Sequence, residues 1–170
     1  MIGFSLLLAA LGGAEEPQIR PTLPWLGAQL LPSPELSLGD GAGFGLRWQL
    51  TPLLYSFGIH RSLSPWRTFV VEPLTRQSGS IELHLSPEYL TALDDHFGGR
   101  VGVKSYFPVW QRGDNLSFSL GASYLQFGSR RAAAYEAGIH VMAGFVGIEV
   151  AYAPLLDPVE LILALKLRAF

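Results

Sequence analysis

The 170-residue sequence contains no cysteine. That excludes a disulfide framework, thiol chemistry and any cysteine-ligated metal centre. Charge is scarce: Asp, Glu, Lys and Arg make up 15% of the chain, against roughly 25% in ordinary soluble domains. The formal net charge is −2, which gives no basic footprint for a nucleic-acid partner. Hydrophobic residues reach 49%, yet there is no run of the ~18 apolar residues that a membrane-spanning helix takes. The apolar content must therefore be distributed in another way. Nineteen glycines and twelve prolines point to many turns and few long helices, and the length suits one domain.

The opening "MIGFSLLLAALGGAEEP" predicts an export signal over residues 1–14. Ile2 to Leu11 is apolar but too short to span a bilayer as a helix, and Gly12-Gly13-Ala14 offers the small residues of a cleavage site. Glu15-Glu16-Pro17 then changes character abruptly, and no Lys or Arg precedes the apolar run. The alternative is a buried N-terminal strand or helix. Residues 15–24 form a lead, and 25–170 form a single domain.

From Gly41 onward the period is two. Phe44, Leu46, Trp48 and Leu50 share one face, with Gly45, Arg47 and Gln49 on the other. The same alternation sets Leu53, Tyr55, Phe57 and Ile59 against Ser56 and His60, and Ile81, Leu83 and Leu85 against Glu82, His84 and Ser86. Val101, Val103 and Phe107 oppose Gly102, Lys104 and Tyr106, and Leu116 to Tyr124 alternates with Ser117, Ser119, Gly121 and Ser123. Tyr135, Ala137, Ile139 and Val141 oppose Glu136, Gly138 and His140. Val146, Ile148, Val150 and Tyr152 oppose Gly147, Glu149 and Ala151. Finally, Leu161, Leu163, Leu165 and Leu167 oppose Ile162, Ala164, Lys166 and Arg168. Strict alternation in such runs predicts strands. Eight runs are clear, and Trp25 to Leu31 and Trp66 to Glu72 are weaker candidates.

Two architectures share this pattern. A soluble secreted barrel or sandwich turns its apolar face inward; a transmembrane barrel turns it toward lipid. The polar face here is mostly Gly and Ser with single large charges, which suits a cramped lumen better than a solvated sheet. The apolar face carries Trp48, Tyr55, Phe107, Tyr124, Tyr135 and Tyr152, several near strand ends, as in an aromatic girdle. The expected fold is an all-β, antiparallel up-and-down transmembrane barrel. Ten strands are preferred because they leave short turns at one end, at Thr51-Pro52, Pro73 to Ser78, Val109 to Asp114 and Ala143 to Phe145. Loops at the other end are then Pro32 to Asp40, Arg61 to Pro65, Tyr89 to Gly98, Gln126 to Arg131 and Ala153 to Val159. Eight strands are the alternative.

In signal, repeated amphipathic strands and terminal Phe170, the chain resembles the small bacterial outer-membrane β-barrel proteins. The resemblance implies location in the bacterial outer membrane, contact with its lipid, and recognition of the terminal aromatic by the barrel-insertion machinery. Phe170 departs from the pattern, because it falls on the register of Arg168 and Lys166 rather than of the leucines.

The polar face places Arg47, Lys104, Lys166 and Arg168 with Glu82, Glu136 and Glu149, and with His84 and His140. Near balance of sign predicts a lumen charge network that pairs internally, in a plugged barrel with a structural or interaction role. A narrow channel for small solutes or hydrophobic compounds is the alternative. His60-x-Ser62 and His84-x-Ser86 have the spacing used by a small barrel enzyme that deacylates lipid A, but no Asn follows either pair, and no catalysis is expected. Glu136 and His140 lie about 13 Å apart on one strand, too far to share a metal. Asp94-Asp95-His96 reads as a solvated loop, and Arg112-Gly113-Asp114 as a turn. No cofactor or metal is expected.

Overall fold

The computed structural model describes residues 31–59, 64–69 and 71–167. The expected signal, the candidate strand from Trp25, His60, Ser62, Arg168 and Phe170 lie outside these. The described chain runs β1 (Ser33–Gly39), β2 (Ala42–Arg47), β3 (Leu50–Ser56), β4 (Trp66–Arg67), a five-residue helix α1 (Pro73–Gln77) and β5 (Ser80–Leu90). It continues with β6 (Phe97–Trp110), a short 3-10 turn (Gln111–Gly113), β7 (Leu116–Phe127), β8 (Arg130–Val141), β9 (Val146–Tyr152) and β10 (Val159–Leu167).

All neighbours are antiparallel. β1 pairs with β10 and β2, the chain of pairings continues from β10 through β9, β8, β7 and β6 to β5, and β5 meets β2 to close the ring. Full closure leaves these strands without a free edge. Ten strands are present among the described residues, but eight form the ring, so the ten-walled barrel preferred from the sequence is corrected to the eight-walled one. The reason lies in residues 42–56. Arg47 on β2 pairs with Glu88, and Leu50 on β3 pairs with Leu85, so both strands lie along β5 as one wall.

Thr51-Pro52, expected as a turn, sits inside β3 where the register slips between Leu50 and Leu53. Proline lacks the N–H that a ladder needs and is tolerated at such an irregularity. Among the described residues of Trp66 to Glu72, only Trp66–Arg67 is a strand, pairing with Tyr55 and Leu54 at the outer edge of β3. Pro32 to Asp40, expected as a loop, contains β1, whose alternation was obscured by Pro34.

Of the later connections, 91–96, 128–129 and 153–158 fall within the expected stretches, and 111–115 and 142–145 run one residue beyond theirs. The β7–β8 turn at Gly128-Ser129 is a tight one, with Gly128 at φ 54°, the left-handed region such turns require. The connections 40–41, 91–96, 128–129 and 153–158 share the end expected from the sequence to carry the loops; two of them, 40–41 and 128–129, are two-residue turns, and it is called the turn end, while 111–115 and 142–145 lie at the opposite end. At that opposite end α1 lies at the mouth of the ring. Ser56 Oγ donates to Thr75 O at 2.8 Å, Ser80 Oγ donates to Arg76 O at 2.8 Å, and Ser117 Oγ donates to Gln77 Oε1. Among the described residues no helix is long and apolar enough to cross a membrane, which says nothing of strands.

Candidate functional site: a filled polar lumen

Alternation along each strand sends every second side chain inward. On β5 the inward series is Ser80, Glu82, His84, Ser86, Glu88 and Leu90, all buried. On β8 it is Ala132, Ala134, Glu136, Gly138 and His140, and on β6 it is Arg100, Gly102, Lys104 and Tyr106. The interior is therefore layered along the axis. Near the turn end Leu90, Leu93, Leu125, Phe127, Leu156 and Ile162 pack into an apolar cap. Charge fills the middle, and Thr75, Arg76 and Gln77 of α1 are buried at the opposite mouth.

Five buried carboxylates (Glu35, Glu82, Glu88, Glu136, Glu149) face five buried cations (Arg47, Arg76, Arg100, Lys104, Lys166). Glu149 Oε2 receives Arg47 Nη2 at 2.9 Å, Lys104 Nζ at 2.9 Å and Lys166 Nζ at 3.4 Å. Arg47 Nε also reaches Glu35 Oε1 at 2.9 Å, and Lys104 reaches Glu136 Oε2 at 2.8 Å. Arg100 bridges Glu88 at 2.6 Å and Glu136 at 2.8 Å. Glu82 takes Arg76 Nε at 3.0 Å, Gln49 Nε2 at 2.6 Å, Thr51 Oγ1 at 3.1 Å and the Tyr106 hydroxyl at 2.8 Å. Lys166 donates to Gln49 Oε1, joining the Glu82 cluster to the rest. Unpaired buried charge is costly, and this arrangement gives each ion a counter-ion.

Glycines on the polar face make room for this network. His84 lies opposite Gly102, His140 opposite Gly147, Glu149 opposite Gly138, and Lys104 opposite Gly121. A Cβ at Gly147 would come within 2.4 Å of His140 Nδ1, and one at Gly138 within 2.8 Å of Glu149 Cγ. Large side chains thus occupy the space their cross-strand neighbours leave empty.

Of the residues singled out from the sequence, Arg47, Glu82, His84, Lys104, Glu136, His140, Glu149 and Lys166 are all buried in this interior. Glu35, Glu88, Arg76 and Arg100 join them and were missed. Each lay just beyond a recognised run or in a stretch read as a loop. Glu88 and Arg100 were recoverable by extending Glu82-x-His84-x-Ser86 and Gly102-x-Lys104 by one more alternate residue.

The outward faces are apolar. Tyr135 and Tyr152 pair across β8 and β9 toward the turn end, with Tyr124 on β7 opposite Ala133. Toward the other end Tyr55 meets Trp66 edge-on at 4.9 Å, and Phe107 stacks on Phe118 at 4.8 Å. Trp48 departs from the girdle expectation: it is half-buried at the break between β2 and β3, its N–H on the Pro87 carbonyl at 3.0 Å.

One Ser–His contact lies within this interior. Ser119 Oγ lies 2.9 Å from His140 Nε2, but the Glu149 carboxylate approaches that same nitrogen at 3.9 Å. A nucleophile relay needs the carboxylate on the other ring nitrogen. Among the described residues, His84 and Ser86 make no hydrogen bond to each other or to another group. Among the described residues no group of three or more His, Asp or Glu is placed to hold a metal ion.

These observations define a small, closed, antiparallel β-barrel with a polar interior filled by its own side chains. Compared with known proteins, the chain matches no family model, no curated protein and no solved structure.

Proposed function

We propose that the protein is an outer-membrane β-barrel with a filled lumen, acting as a structural or interaction element of the bacterial envelope rather than as a conduit. One observation carries this reading: the polarity of the molecule is inverted. Ten ionisable side chains lie buried and paired inside the ring, while Leu36, Ile81, Leu120, Ile139, Ile148 and Leu165 point outward. Water would leave that apolar exterior unsatisfied, and exposed patches of this extent mark an apolar partner. From Leu116 to Tyr124 the outward band of β7 rises about 20 Å after allowing for strand tilt, near the ~25 Å apolar band of outer-membrane barrels. Tyrosines toward the turn end and Trp66 and Trp110 toward the other bracket it.

The filled lumen is supported separately. The apolar cap closes one end, α1 the other, and the buried acidic and basic side chains, Arg76 of α1 included, balance in number. Fractionation and gel mobility test the membrane reading: the folded protein should sediment with outer membrane and run faster before boiling than after. Recovery in the soluble periplasmic fraction overturns it. Planar-bilayer recording tests the filled lumen, with no stepwise current expected; discrete steps would instead favour the channel.

A further inference from the structure

The outward column of β8 is Arg131, Ala133, Tyr135, Ala137, Ile139 and Val141, all exposed. Ala137 is the floor of an apolar groove with a volume of about 620 Å³. Its direct cross-strand neighbours, Leu120 on β7 and Val150 on β9, form the walls, and Phe118 and Ile148 flank Ile139 below. Above the groove stand three tyrosines on three adjacent strands: Tyr135 beside Tyr152, and Tyr124 beside Ala133. One further alternate step up, Arg131 pairs with Gln126. Its neighbour Arg130 is committed to Asp94 at 3.4 Å, whereas Arg131 has no ion-pair partner among the described residues.

We infer that this column seats one anionic, phosphate-bearing lipid of the leaflet at the turn end. The phosphate lies against Arg131 at the level of Tyr124, and an acyl chain runs past Tyr135 into the groove at Ala137. The inference rests on the membrane reading above. Guanidinium and hydroxyl donors suit phosphate oxygens, and a cation at the headgroup level attracts anionic lipid. The geometry fits a single molecule. Six residue steps separate Arg131 from Ala137, a depth of about 15 Å on a tilted strand, half of the ~30 Å hydrocarbon thickness. A chain descending from the phosphate level therefore reaches the groove partway along its length.

Native mass spectrometry of the full chain in a zwitterionic detergent tests this, with dimyristoylphosphatidylglycerol, dimyristoylphosphatidylcholine and inorganic phosphate as probes. One phosphatidylglycerol per barrel should be retained, about fivefold more tightly than phosphatidylcholine, the weight of one Arg at an anionic surface. Arg131→Gln should erase that preference, and Ala137→Phe should weaken both lipids. Ala137→Leu reads the same effect should the Phe variant fold poorly. Arg112→Gln, exposed at the opposite end, should change nothing. Equal retention of the two lipids overturns the inference, as does indifference to both substitutions, displacement by inorganic phosphate, or a two-barrel species that buries the groove. Vesicle insertion of the same preparation separates the failures. A barrel that inserts but shows no preference sinks only the lipid seat, and one that does not insert sinks the membrane reading too.

Discussion

Replacing Glu149 by Gln keeps the shape of the side chain and removes one negative charge from the centre of the barrel. Three cations lose their shared partner: Arg47 at 2.9 Å, Lys104 at 2.9 Å and Lys166 at 3.4 Å. Five buried cations would then face four buried carboxylates. Breaking a buried pair by removing one partner costs about 3–5 kcal/mol. The lower end applies here, because Arg47 keeps Glu35 at 2.9 Å and Lys104 keeps Glu136 at 2.8 Å. With a urea dependence of about 2 kcal/mol per molar, a loss of about 3 kcal/mol lowers the unfolding midpoint by about 1.5 M. The assay is urea titration in detergent micelles, read by tryptophan fluorescence and by the fraction keeping the fast gel mobility. Adding Lys104→Met restores the balance of charge, and the coupling between neighbours should recover about 1.5 kcal/mol. A single-variant shift below about 0.5 M, or a double variant less stable than both singles, refutes charge balance as what holds the interior.

Three further outcomes follow from the same geometry. Ile148→Arg, on the outward face of β9, should cost about 2–4 kcal/mol if lipid covers that face; a change within about 0.5 kcal/mol in the same urea titration is the behaviour of a solvated surface and counts against the membrane. Gly102→Ala puts a Cβ 2.6 Å from His84 Nε2 and 2.7 Å from the Ala122 carbonyl. It should destabilise by about 1–3 kcal/mol, whereas Gly99→Ala, whose Cβ meets only Ser86 O at 3.6 Å, should leave the thermal midpoint nearly unchanged. Arg76→Gln loosens α1 from Glu82, yet bilayers should still show no current, because Leu90, Leu93, Leu125 and Phe127 close the other end; stepwise conductance refutes that second seal.

The period-two pattern was legible because each face has its own chemistry over seven or more residues in β5 to β10. His84, Glu136 and Glu149 could be placed on the polar face for that reason alone. What could not be read was where a wall continues through a poor strand residue. Pro52 looks like a turn until its partners along β5 are known, and Pro34 hides the alternation of Glu35 and Ser37 in the same way. Strand number depends on such continuations, so the eight-walled ring was the harder fact to recover. Pairing within the lumen was also out of reach. Glu149 meets Lys104 and Arg47 from strands far away in sequence, and only closure of the ring brings them together. The role of α1 had no sequence signal, because Thr75, Arg76 and Gln77 are polar residues in a short segment and become buried only where α1 meets the mouth of the ring.

The inverted polarity also decides what can hold such a barrel together. If lipid covers the exterior, burying leucines against one another contributes little, since acyl chains are as apolar as the side chains they would replace. Stability must then come from the closed ladder of backbone hydrogen bonds, which no water in the bilayer could satisfy, and from the interior. Below its apolar cap that interior is held by ion pairs and hydrogen bonds. Such a core is unforgiving of a single change of charge and tolerant of changes made in neutral pairs. The opposite sensitivity belongs to a soluble β-sandwich, where truncating one large apolar residue is the costly event. The ranking of Glu149→Gln against an outward truncation such as Leu120→Ala therefore separates the two architectures within one measurement. In this barrel the charge change must be the more damaging of the two.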